Sequence, residues 1–439
     1  MLLGNQKSTL QKRFSLLSLS LLVLGVGCAA SSSPSPNKSH NTSSEASALA
    51  GASDKRKASA HSKTPDATKK IQTVVVGSIT SEGRINCFAP GLRKAPSKKH
   101  PEGKEVHCET SAILAQPKGV LLASDKPIPG EGKSSLFFVR STKDGLEKSP
   151  TKFFVQDALL HARKFEDFAP LPKTARTRGQ AAFLTTGFDR VKKASSKHPT
   201  KWNVYNTLFY FEMDAIKSGR EPQVVSSDGA TPATSVGLRK RLSLALMTDD
   251  FPDGMPYFKT EGLVILPGNR LVFGVREKGK SYKKFSYAIT LVEVLFSFSE
   301  QGVVELAETA KVILDVSPTG HVPETVGLSS LAYDVKRERL YLLTSYELEE
   351  SDVGLGAYLF SISHKDLTAG KSPTLVMEKS RVPLHFAHKA EGVSVREDGD
   401  LWVIHDDDRV FGRKDVKDSR REFHRAAHQA SWSLVHIEN

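Results

Sequence analysis

The sequence predicts an all-β fold, a β-propeller, on three observations. From residue 71 onward, apolar runs of four to nine residues rich in Val, Phe, Tyr and Leu alternate with Gly, Pro, Asn and Asp, the texture of short strands between tight turns. A strand–turn–strand unit recurs in register 130 residues apart. Its first copy runs Glu261-Gly262-Leu263-Val264-Ile265-Leu266, the turn Pro267-Gly268-Asn269, then 270–276; its second runs Glu391-Gly392-Val393, the turn Glu397-Asp398-Gly399-Asp400, then 401–406. Gly262, Gly327 and Gly392 fall 65 residues apart, and a repeat of roughly 50 to 65 residues holding four strands is one propeller blade. The 369 residues from 71 to the end then give six blades, with five and seven the neighbouring counts.

Taken in order, the chain divides into residues 1–27, 28–70 and 71–439. The first segment reads as a signal peptide resembling those of bacterial lipoproteins. Lys7, Lys12 and Arg13 make a positive start, 14–26 is apolar, and Gly27-Cys28-Ala29 is a small-residue cleavage site. The apolar run is short for a membrane span. Cys28 is the expected acceptor of the acyl (palmitate) chains, although Gly25 stands where leucine is usual. Residues 28–70, rich in Ser, Ala, Lys and Pro, have no apolar periodicity and read as a disordered tether. The expected location is the bacterial cell envelope, held by the lipid anchor. No aspartate follows Cys28, so the outer membrane is favoured, facing the periplasm or the surface.

Within 71–439 the expected strands include 73–76, 112–114, 119–123, 135–139, 181–184, 207–211, 288–296, 339–343, 357–362 and 432–437. Segment 73–76 is placed beside 432–437, closing the ring and removing its free edge. Helices are expected only at 156–164 and 420–429. Cys87 and Cys108 form an even pair once Cys28 is assigned to lipid, and read as a disulfide in an oxidising compartment.

The net charge of +13 invites a nucleic-acid reading, but its distribution does not sustain one. Residues 1–70 carry 10 Lys/Arg against 3 Asp/Glu, so more than half of the excess lies outside the globular body. No basic helix or aromatic-basic stacking motif accompanies it. The sequence also lacks Gly-x-Ser-x-Gly, His-Glu-x-x-His and Cys-x-x-Cys, which disfavours standard serine hydrolases and zinc proteases.

Candidate chemistry therefore rests on charged residues at repeated positions. Glu261 and Glu391 begin inner strands, and Glu109 does so in a looser earlier copy. Arg276 and Asp406 end the following strands. Glu109, Glu261, Glu391 and Asp406 are the candidate oxygen ligands for calcium, and Arg276 and Lys389 the candidate anion contacts. The same carboxylates equally suit bonds to an amide or an Arg of the next blade. His385 and His388 are acid/base candidates. His405-Asp406-Asp407-Asp408 is the densest acidic cluster, without the spacing of an EF-hand loop.

The Glu-Gly-Leu or Glu-Gly-Val motif, the Asp-Gly or Gly-Asn turn and the following aromatic-apolar strand resemble the phytase-like (esterase-like-of-phytase) and related bacterial propeller families. The resemblance covers about 106–437. It implies a propeller of six or so blades, sometimes associated with calcium and phosphate-ester chemistry. Val326 stands where the motif has Glu. Three functions are expected: a lipid-anchored propeller binding a ligand or partner at one channel mouth, a calcium-assisted phosphoester or ester hydrolase, or a structural scaffold of the envelope.

Overall fold

Each short apolar run pairs with its neighbour in sequence, so the strands assemble as successive antiparallel meanders. The computed structural model describes residues 74–130, 132–172, 180–189, 202–226, 233–348, 354–407 and 425–438. Cys28, the signal peptide, the tether and Asp408 lie outside the described residues. The chain divides into two units, 1–69 and 70–439, and everything below concerns the second.

Five sheets form. Blade 1 comprises Thr110–Gln116, Gly119–Ser124, Leu136–Thr142 and Gly145–Leu146, with Lys152–Phe153 also on its third strand. Blade 2 comprises Phe165–Pro170, Ala181–Thr186, Leu208–Glu212 and Gln223–Val224. Blade 3 is the longest, with Tyr257–Leu266, Arg270–Ser281, Lys284–Phe298 and Val304–Val316. Blade 4 holds Gly327–Asp334, Arg339–Glu347, Leu355–Ser363 and Thr374–Leu375. Blade 5 holds Ala390–Val395, Leu401–His405 and Gln429–Ile437, and takes its outer strand, Gly77–Asn86, from the other end of the chain.

The ring thus closes where expected but one strand later in sequence. Val76 only bridges to Met377, and Gly77–Asn86 pairs with Gln429–Ile437. The blade count is five rather than six, and the register explains the error. Each inner strand carries a bulge near its start, at Ser111, Glu166, Glu261, Ser329 and Glu391. Gly327 lies two residues before its bulge, whereas Gly262 and Gly392 lie one residue after theirs, so the even 65-residue spacing was accidental. The interval from Glu166 to Glu261 is long because it also holds the helix Val236–Ala245. Of the expected helices, 156–164 contains Asp157–His161; in 420–429, residues 420–424 lie outside the described residues, and 427–428 form a turn leading into the strand at Gln429.

The core is divided among the blade interfaces, as alternation along a strand requires. Leu263, Ile265, Leu271 and Phe273 pack toward blade 2 against Phe183, Leu208 and Phe188. Their neighbours Val264, Leu266 and Val272 pack toward blade 4 against Leu328, Leu331 and Leu340. Both sheet faces are therefore dry, which is why these strands read as continuous apolar runs. At the seam between blades 5 and 1, a Cβ on Gly83 would lie 2.5 Å, and one on Gly145 2.2 Å, from the Trp432 ring. The disulfide Cys87–Cys108 ties the end of the closing strand to the residues leading into blade 1.

Candidate functional site

All five inner strands start at one face of the ring, here called the upper face. Their bulges rotate one side chain per blade out of the ladder, and that position holds Ser111, Glu166, Glu261, Ser329 and Glu391. Two residues earlier stand Glu109, Lys164, Lys259, Gly327 and Lys389. Three blades therefore present the same Lys-x-Glu triplet: Lys164-Phe165-Glu166, Lys259-Thr260-Glu261 and Lys389-Ala390-Glu391.

The triplets link across blade boundaries. Glu166 of blade 2 lies 3.5 Å from Lys164 and 3.5 Å from Lys259 of blade 3. Lys259 is also paired with Glu261, which lies 3.2 Å from Arg276. Arg276 reaches into blade 4, donating to Ser329 Oγ at 2.7 Å and Ser345 Oγ at 2.9 Å. Gly327 makes that reach possible: a Cβ there would lie 2.8 Å from both Arg276 Cγ and Tyr287 Cδ1. Glu347 of blade 4 meets Lys389 of blade 5 at 2.5 Å, and Lys389 also meets Glu391 at 2.7 Å.

Burial sets the ionisation of this ring. It favours the neutral acid at Glu166, and although Lys259 and Lys164 oppose it, the carboxyl is held well above its ordinary range. Burial also raises Glu391. At Glu261 burial acts in the same direction, but Arg276 and Lys259 outweigh it and bring the group down to about 2. The lysines are the least covered members, with side chains 14–17% exposed, above carboxylates 2–6% exposed.

One residue further along the strand from Glu166, Asp167 reaches across to the neighbouring inner strands. Its Oδ2 accepts from Leu263 N at 2.8 Å, Leu331 N at 3.0 Å and Ser330 Oγ at 3.0 Å, and its Oδ1 from Phe168 N at 2.9 Å. Ser330 Oγ in turn accepts from Val393 N at 3.0 Å. One fully buried carboxylate and one hydroxyl thus join the inner strands of blades 2 to 5 across the axis. Burial raises Asp167 well above the usual carboxylate range against the pull of its donors.

The sequence-derived candidates are distributed as follows. Glu261, Glu391, Arg276 and Lys389 share the ring. Glu109 sits at the lysine level of the motif, with Ser111 at its bulge, and pairs with Lys126 of its own blade. Asp406, at the same register level as Arg276, is held by Arg425 at 2.9 Å. His388 Nδ1 bonds Asp407 at 2.7 Å, and Asp407 is lowered to about 2: burial opposes this, and His388 overcomes it. His385 stacks with Tyr346, its Nε2 3.1 Å from the Tyr346 hydroxyl. Among the described residues no three His, Cys, Asp or Glu side chains are grouped to hold a metal ion. Lys164, Glu166, Asp167, Lys259 and Glu347 were missed; the recurring Lys-x-Glu triplet is the signal that would have found the first, second and fourth.

No family model matches the sequence, and no curated protein matches it. Among solved structures, the chain is similar to the GH43 β-1,3-galactosidase BT3683 with galactodeoxynojirimycin, at TM-score 0.37 and 10% identity over 80% of this chain and 96% of that one. It is similar to Pseudomonas fluorescens PhoX in complex with vanadate, at TM-score 0.36 and 12% identity over 81% and 74%. A third is the GH43 BlXynB protein of Bacillus licheniformis, at TM-score 0.33 and 10% identity over 68% and 48%, so the chain spans about half the length of BlXynB. Likeness at this level carries no argument about activity. The five-bladed ring stands on its strand pairing.

Proposed function

We propose that the chain is a bacterial envelope propeller, exported and anchored through lipidated Cys28, that binds a small anionic ligand at its upper mouth. The observation that carries the binding reading is the convergence of Lys164, Lys259 and Lys389, partly exposed, over a floor of carboxylates two of which are driven toward the neutral acid. Burial that pushes Glu166 and Glu391 toward the neutral acid weakens the negative charge beneath the three lysines, which suits an anion above them. A calcium ion here would have to displace Lys259, Arg276 and Lys389 from the carboxylates, so the donor set does not fit the calcium-assisted reading.

The test is calorimetric titration of the full chain with inorganic phosphate and sugar phosphates. Saturable binding weakened about tenfold or more by Lys259→Met, a loss of about 1.4 kcal/mol or more, supports the reading. Absence of binding to the whole panel sinks it. The anchor is tested separately: Cys28→Ser should release the protein from the membrane fraction.

One observation favours hydrolysis as a second reading. Glu166 and Glu261 flank Lys259 with their carboxyls shifted in opposite directions, the arrangement that general acid–base chemistry needs. Phosphoester and glycoside turnover that persists in EDTA and falls about a hundredfold or more in Glu166→Gln would establish it. Glu166→Gln that leaves turnover intact would remove it.

A further inference from the structure

Among the described residues, the second and third strands of blade 3 pair farther past the upper face than those of blade 4, which reach Glu347↔Leu355. In blades 1, 2 and 5 the pairing between the first two strands starts at Ser124, Thr186 and His405, the level of Val275 in blade 3. Blade 3 pairing goes on for six more residues to Ser281↔Lys284. At about 3.3 Å per residue this is a finger on the order of 20 Å long standing on the upper face. Its tip reads Lys280-Ser281-Tyr282-Lys283-Lys284-Phe285.

The acids near the finger are already engaged. Asp315 takes Lys278 at 2.9 Å, and Glu277 accepts from the Tyr257 hydroxyl at 2.5 Å. Among the described residues Lys280, Lys283 and Lys284 have no carboxylate partner. Between them Tyr282 is 61% exposed, and Phe285, next after Lys284, is 38% exposed. Tyr257, Phe285 and Tyr287 form a ladder of ring contacts at 5.9 and 5.8 Å leading down to Arg276 of the mouth, whose guanidinium lies 5.2 Å from the Tyr287 ring.

We propose that this finger docks on an anionic bilayer surface, turning the upper mouth toward the headgroups. Uncompensated ammonium groups interleaved with exposed aromatic rings suit the boundary between charged headgroups and acyl chains. Among the described residues of the upper face, this two-residue turn stands farthest from the ring and can reach a planar surface. The docking stands independently of the ligand proposed above, since it uses none of the ring residues.

The test uses the full chain carrying Cys28→Ser, so that no acyl anchor contributes, and vesicles in which about one third of the lipid is phosphatidylglycerol and the rest phosphatidylcholine. Lys280→Gln/Lys283→Gln/Lys284→Gln should weaken co-sedimentation at least about tenfold. The charge-matched tail variant Lys55→Gln/Arg56→Gln/Lys57→Gln should weaken it less than about threefold. Tyr282→Trp should show a blue-shifted emission on these vesicles and not on pure phosphatidylcholine. Equal losses in the two triple variants, or an unshifted Tyr282→Trp, overturn the proposal. So does tip-dependent binding to heparin without tip-dependent binding to vesicles, which would assign the finger to a soluble polyanion.

Discussion

Replacing Asp167 by alanine removes one carboxylate and strands four donors that it satisfies on three blades. Buried donors without acceptors are costly, so Asp167→Ala should lower stability by roughly 3 kcal/mol or more, read from urea unfolding. Asp167→Asn keeps an acceptor for three of the donors and turns its amide toward Phe168 N, so its cost should be nearer about 1 kcal/mol. If the two variants cost the same, the carboxylate is not the brace described. His405 gives a pH signature. It is fully buried, and burial, aided by His388, lowers it to about 3. Its ordinary value is about 6.5, so the folded state binds fewer protons than the unfolded one between those limits. The stability it contributes is complete above about pH 6.5 and is lost as pH falls. The loss from pH 6.5 to 5 should be about 2 kcal/mol. His405→Gln should remove most of that slope, and an unchanged slope would place the titration elsewhere.

The strands were legible in the sequence because burial on both faces leaves uninterrupted apolar runs, such as Leu263 to Leu266. Their grouping into blades was not. Gly327 looked like the partner of Gly262 and Gly392, yet its glycine answers a local demand, the space filled by Arg276 and Tyr287. Only the bulge register distinguishes a repeat glycine from a cavity glycine, and bulges leave no signature in composition. The site was half legible for the same reason. Glu261, Glu391, Arg276 and Lys389 stood out by alignment of two blades, while Glu166 was hidden by an interval to Glu261 stretched by the helix Val236–Ala245. The disulfide was readable from cysteine parity. It closes a sequence separation of 21 residues, so Cys87→Ser/Cys108→Ser should cost about 3 kcal/mol in chemical unfolding. A loss below about 1 kcal/mol would mean that strand pairing alone secures the seam.

At the scale of the molecule, the closing strand makes the fold depend on both ends of the body at once. Gly77–Asn86 supplies an edge to Gln429–Ile437, and the Trp432 ring sits where side chains at Gly83 and Gly145 would be. Gly145→Val, at a backbone φ of +144 and against that ring, should open the seam between blades 5 and 1. Accelerated amide exchange confined to those two blades would be its mark, and uniform exchange would argue that the ring opens only as a whole. The lower face carries a separate cleft of about 850 Å³, lined by residues including Gln116, Pro170, Tyr333, Arg396 and Trp402. Between it and the upper mouth stands the Asp167 brace. Because the brace ties the inner strands of four blades together, a compound in the lower cleft that shifts those strands would be felt at the upper mouth, as a change in affinity there without any contact between the two ligands.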